Sequence, residues 1–92
     1  MPSDDRAARA EIVSFLRGRV AEKIRQPTEQ VLETGHLIRD YGLTSLDAVV
    51  LSGELEDRFG LELEPTTLFD LPSIGRVADA IADRVAPDRV AR

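Results

Sequence analysis

The chain has 92 residues, 42% hydrophobic and 32% charged, with a formal net charge of −5, which fits one small ordered domain and excludes a wholly disordered chain. At this size only about 60–65% of the unfolded surface can be buried, so a deep catalytic cleft has little room; three Phe, one Tyr and no Trp make the core mainly aliphatic. With no cysteine, disulfides, a protein thiolate nucleophile and sulfur-ligated zinc are all excluded.

The opening residues MPSDDRAAR lack the basic start and apolar run of a secretory leader, and no stretch approaches 18 consecutive apolar residues. A cytoplasmic protein with no membrane span is therefore the default expectation. Residues 5–25 are rich in helix formers and space Ile12, Leu16, Val20 and Ile24 four apart, with Phe15 beside them. This predicts a first helix lying on the core, with Gly18 in its interior costing about 1 kcal/mol relative to Ala. Pro27, Gly35 and Gly42 punctuate the next stretch, so a long loop is expected, anchored by Val31, Leu32, Leu37, Ile38, Tyr41 and Leu43.

The second helix has the clearest start. Thr44 can cap it, Asp47 three residues later can return the hydrogen bond, and Gly60 after Phe59 can stop it. Ser45 is then the first helical residue. Helical phase splits the apolar residues: Ala48, Leu51, Leu55 and Phe59 form one core face, and Leu46, Val49, Val50 and Gly53 lie on the opposite side. One core stripe does not account for both sets.

Leu61 and Leu63 alternate with Glu62 and Glu64, but Pro65 and Pro72 disfavour a sheet with a single candidate strand. A short helix or turn around Thr66 to Phe69 is expected instead, with Leu68, Phe69 and Leu71 inward. Ser73 can cap a last helix carrying Ile74, Val77, Ala78, Ile81 and Val85 and ending near Pro87, followed by a frayed tail over residues 86–92. The expected fold is all-α: a small four-helix bundle with three main helices, one short helix and a long first loop. It forms a single domain, 1–92, with a folded core at about 8–86.

Charge is distributed unevenly. Between residues 45 and 72 seven acids (Asp47, Glu54, Glu56, Asp57, Glu62, Glu64, Asp70) face one base, Arg58, for a segment charge of −6. Such a field repels phosphate backbones, making nucleic acid an unsuitable partner. On charge alone, the acids either solvate a helical domain or attract a basic protein surface. His36 is the only histidine and sits in a Gly-flanked loop; no spacing joins it to a serine and a carboxylate as a catalytic triad requires, and neither a metal site nor a phosphate-cradling glycine motif is present. An autonomous enzyme is not expected. Read from local chemistry, Ser45 either shares capping with Thr44 or offers a hydroxyl for modification, where the N-terminal N–H groups and dipole of a helix favour a phosphate ester.

The segment GLTSLDAVVLSGELEDRFG, residues 42–60, resembles the prosthetic-group signature of acyl carrier proteins, particularly the carrier domains of polyketide and related nonribosomal assembly lines. The usual Gly-x-Asp-Ser-Leu stands here as Gly42, Leu43, Thr44, Ser45, Leu46, and TLFDLPSI at residues 67–74 resembles the family segment before the last helix. Together the matches place nearly all of residues 10–85 in register.

The resemblance implies an acyl-carrier-like bundle with 4′-phosphopantetheine on Ser45, its terminal thiol holding an acyl or polyketide intermediate as a thioester. The cofactor would thus supply the thiol that the chain lacks. Leu46 and Asp47 would stand at the partner-recognition edge of the second helix. Combined with the apolar arc, this makes Leu46, Asp47, Val49, Val50, Glu54 and Asp57 the candidate partner surface. Implied partners are a phosphopantetheinyl transferase and a ketosynthase, acyltransferase or related assembly-line enzyme; a monomer is the simplest expectation for a chain that exchanges partners. The rival reading is a helical interaction or regulatory module of the same fold without a prosthetic group. Thr44 for Asp, Val50 where many relatives carry Glu, and Gly53 depart from the family pattern and suggest a specialised polyketide partner.

Overall fold

A computed structural model describes residues 2–64 and 66–85, with side chains from residue 6 onward. Helix α1 spans Pro2–Ile24, α2 Ser45–Phe59, α3 Thr67–Asp70 and α4 Ile74–Ile81. Single 3-10 turns lie at Thr28–Gln30 and Ala82–Arg84. Among the described residues there is no strand, only an isolated antiparallel bridge between His36 and Ser73. The expected four-helix architecture with a long first loop is the observed one.

The α1 stripe is buried as its spacing requires: Ile12, Leu16 and Val20 are fully buried, Ala8 extends the stripe backward, and Phe15 and Ile24 pack at its edge. Ala48, Leu51, Leu55 and Phe59 of α2 meet this core, and the Phe15 and Phe59 rings stand edge to face at 5.8 Å, a favoured arrangement of aromatic quadrupoles. From α4 come Ile74, Val77, Ala78 and Ile81.

Helix α1 ends one residue earlier than the 5–25 expectation because Arg25 enters the left-handed region at φ 58, while the Gln26 N–H reaches back to the Ala21 carbonyl at 3.1 Å. A side chain with a Cβ is disfavoured there by roughly 1 kcal/mol, so no glycine signal marked this end. Gly60 closes α2 in the expected way, left-handed at φ 66 with its N–H on the Glu56 carbonyl.

Three expectations are corrected. Phe69 is 45% exposed rather than inward; α3 is a single turn that turns Leu68 into the core, and its immediate neighbour then points about 100° away. Leu32 is 58% exposed rather than a loop anchor, because Val31 takes the buried position and the Leu32 backbone is held at the surface by the Tyr41 hydroxyl at 2.7 Å. Helix α4 stops at Ile81 and tightens into a 3-10 turn, although Val85 beyond it is buried as expected. The expected stop at Pro87 and frayed tail lie outside the described residues.

Polar side chains do much of the loop anchoring. Arg17 donates to the carbonyls of Val31 at 2.7 Å and Thr28 at 3.0 Å. Arg9 joins Glu33 of the loop and Asp79 of α4, each at 2.6 Å, and the two carboxylates raise its affinity for its proton. Val31, Leu37 and Leu43 supply the buried apolar anchors. Gly35 is needed where it stands, since a Cβ there would lie 2.3 Å from the Tyr41 hydroxyl oxygen.

Gly18 differs. A Cβ at this mid-helix position meets nothing within 4 Å, so Gly18→Ala should gain the helix-propensity difference of about 0.5–1 kcal/mol. Thermal unfolding should show a midpoint raised by several degrees.

Candidate functional site

Thr44 adopts extended geometry, φ −91 and ψ 171, and its Oγ1 accepts the Asp47 N–H at 3.1 Å. Asp47 Oδ2 accepts the Thr44 N–H in return at 3.0 Å. This reciprocal box satisfies the cap without Ser45, whose exposed side chain stands on the first residue of α2. With the Asp47 N–H taken by Thr44 Oγ1 and the Ala48 N–H by the Thr44 carbonyl at 3.0 Å, the first-turn donors that no helical carbonyl serves are those of Ser45 and Leu46. An exposed hydroxyl beside such donors, at the positive end of a 15-residue helix, suits a phosphodiester.

The three other serines whose side chains are described offer poorer sites. Ser52 and Ser73 are buried, and Ser73 Oγ caps α4 by accepting the Arg76 N–H at 3.3 Å. Ser14 is exposed but lies in mid-helix on α1.

The Asp47 carboxyl is held below the usual carboxylate range, first by the Thr44 backbone N–H, then by the Thr44 hydroxyl and the Lys23 ammonium, against an opposing cost of burial. Lys23 Nζ stands 3.6 Å from Asp47 Oδ1. A depressed folded-state pKa contributes stability above the unfolded pKa that is lost as pH falls through the folded value. Asp47→Asn should therefore be less stable than the parent near neutral pH, and the gap should close on acidification below the carboxylate range. Denaturant midpoints measured across that range check this.

Along α2 the second apolar set faces outward: Leu46 is 70% exposed, Val49 45% and Val50 42%. A Cβ on Gly53 would meet nothing within 4 Å, so the fold does not require glycine there. Of the candidate acidic rim, Asp57 is exposed, whereas Asp47 is engaged in the cap and Glu54 is gripped in a fork by Arg19, Nε to Oε1 at 3.0 Å and Nη2 to Oε2 at 2.7 Å. The same contact, with Glu22 at 2.5 Å, raises the proton affinity of Arg19. The rim thus projects less negative field than its residue count suggests. Residue order carried no signal for the Arg19–Glu54 pair, whose members lie 35 positions apart.

His36 packs locally as expected of a loop histidine, its Nδ1 accepting the N–H groups of Ile38 at 3.2 Å and Arg39 at 3.0 Å. Among the described residues no group of three His, Cys, Asp or Glu could hold a metal ion, and no helix is long and apolar enough to cross a membrane.

Comparison with known proteins defines the class. A family model described as "Phosphopantetheine attachment site" matches residues 14–81. An acyl carrier protein of Saccharopolyspora erythraea is 36% identical over 78 residues, covering 85% of this chain and 82% of its own. A free-standing peptidyl carrier protein from a secondary metabolic pathway of Acinetobacter baumannii superposes with a TM-score of 0.73 at 36% identity, covering 83% of this chain and 94% of that one. The phenolphthiocerol/phthiocerol polyketide synthase of Mycobacterium tuberculosis has a large polypeptide that is 37% identical over 84 residues, or 91% of this chain, which spans 4% of that polypeptide's length. The chain belongs to the phosphopantetheine-attachment family. It is a carrier of the acyl-carrier type, which tethers acyl groups through 4′-phosphopantetheine.

Proposed function

We propose that Ser45 is the residue that bears the arm, and that residues 1–92 act as one carrier domain in a polyketide-type assembly line. The observation that carries the assignment is the exposed Ser45 side chain at the first position of α2, relieved of capping by the Thr44–Asp47 box. When attached, the arm supplies a thiol for thioester linkage. Thr44 and Asp47 would keep the helix start formed, and the N–H groups of Ser45 and Leu46 would be the donors available to its phosphate. Covalent tethering raises the effective concentration of the acyl group at each partner's active site.

A phosphopantetheinyl transferase acting from coenzyme A loads the chain, and ketosynthase, acyltransferase or related enzymes use it, in the cytoplasm. The polyketide direction is supported by the similarity to the mycobacterial synthase. Incubation of the full chain with coenzyme A and a promiscuous transferase should add the mass of one phosphopantetheinyl group; an unchanged mass would favour the unmodified interaction module instead.

Leu46, Val49 and Val50 form the apolar centre of the partner surface, with Asp47, Glu54 and Asp57 at its edge. Because Val50 is 42% exposed, Val50→Glu should change stability by only about 0.5 kcal/mol or less. It should weaken docking by placing a charge where apolar surface must lose water. Association kinetics with a cognate ketosynthase, alongside denaturation of the variant, check both halves.

A further inference from the structure

An open cavity of about 350 Å³ lies between the first loop and the start of α4, lined by Thr34, His36, Arg39, Asp40, Ser73 and Arg76 among others. Backbone contacts fix its frame. His36 bridges to Ser73, the Leu37 N–H donates to the Pro72 carbonyl at 2.9 Å, and the Asp40 N–H donates to the His36 carbonyl at 2.8 Å.

The lining holds two guanidinium groups against one carboxylate and so keeps a net positive charge. Asp40, its one carboxylate, accepts the His36 N–H through Oδ2 at 2.7 Å and so belongs to the turn. Because His36 Nδ1 accepts two backbone N–H groups, the neutral imidazole carries its proton on Nε2, a donor. The side chains of Arg9, Arg17, Arg19, Arg58 and Arg84 all donate hydrogen bonds to carboxylates or main-chain carbonyls. Arg39 and Arg76 have no ion pair or side-chain hydrogen bond among the described residues, yet both are exposed and converge on this cavity. The start of α4 adds no backbone donor from Gly75 or Arg76, whose N–H groups are taken by the Glu33 carbonyl and Ser73 Oγ.

We propose that this cavity is a docking site for an acidic segment of a partner protein, with a Glu or Asp carboxylate seated between the Arg39 and Arg76 guanidinium groups. Planar guanidinium forks match a carboxylate in two-point hydrogen bonding. Two guanidinium groups attract a carboxylate or a free anion such as phosphate alike, but a protein segment adds contacts outside the cavity that a free anion cannot make. Arg39 precedes Ser45 by six residues, so chain geometry limits their separation to about 22 Å, and a partner held here reaches the start of α2. The site presents a charge opposite to that of the acidic α2 region, so it suits a different partner surface. The proposal does not depend on modification of Ser45.

The test is titration of the full-length, ¹⁵N-labelled chain at low salt with a capped hexaglutamate peptide, and separately with inorganic phosphate. The peptide should shift the Arg39 and Arg76 Nε–H resonances, and R39Q/R76Q should weaken its binding on the order of tenfold while leaving the denaturation midpoint unchanged. R39K/R76K should retain an intermediate affinity by keeping charge without the fork. Peptide binding unaffected by R39Q/R76Q, no shift at these side chains, or tighter binding of phosphate than of the peptide would each overturn the proposal.

Discussion

Ser45→Ala should leave the chain folded and abolish its loading with phosphopantetheine. The Thr44–Asp47 box holds the helix start without the Ser45 hydroxyl, and alanine is a good helix former at this exposed position. The expected stability change is within about 0.5 kcal/mol, readable as an unchanged denaturation midpoint. The chemical effect is all or none, because the ester has no other oxygen at this helix start: Thr44 Oγ1 is already turned to the Asp47 N–H, and Ser52 and Ser73 are buried. Circular dichroism and intact mass on the same preparation separate a folding defect from a lost site. A folded variant that still gains the full arm would remove Ser45 from its assigned role.

Leu55→Ala should have the largest effect on stability. Leu55 is fully buried on the α2 face that meets α1, so truncation loses both its transfer free energy and the packing of the space it leaves, about 2–5 kcal/mol. A domain of this size has a total stability near the lower end of about 5–15 kcal/mol, so the thermal midpoint should fall by about 10 °C or more. An unchanged denaturant midpoint would mean that the wrong face of α2 had been assigned to the core. Set beside Val50→Glu on the opposite face, the pair of variants separates packing from recognition along one helix.

The second helix was legible from residue order because its determinants are local. Thr44, Asp47 and Gly60 act within a turn of the helix ends, and the 3.6-residue period alone separates Leu51 and Leu55 from Val49 and Val50. The α1 stripe was legible for the same reason. Leu32 sits in a loop and Phe69 in a single helical turn, segments that carry no readable period, so nothing in residue order marked them as outward. The end of α1 carried no turn residue, since Arg25 adopts a conformation that glycine would adopt more readily. Least visible were pairings across the fold. Arg19 with Glu54 and Arg9 with Glu33 and Asp79 join residues 24 to 70 positions apart, and nothing but tertiary packing brings them together. These pairings change the electrostatic reading of the site, because one carboxylate of the expected acidic rim is matched by Arg19 and another by the helix cap and Lys23.

The most direct test of the Ser45 assignment is to load the full chain from coenzyme A with a promiscuous transferase, digest it, and map the modified peptide by tandem mass spectrometry. A single phosphopantetheinyl group localised to Ser45 is the expected result. An arm on any other residue, or none on a folded chain, would contradict it.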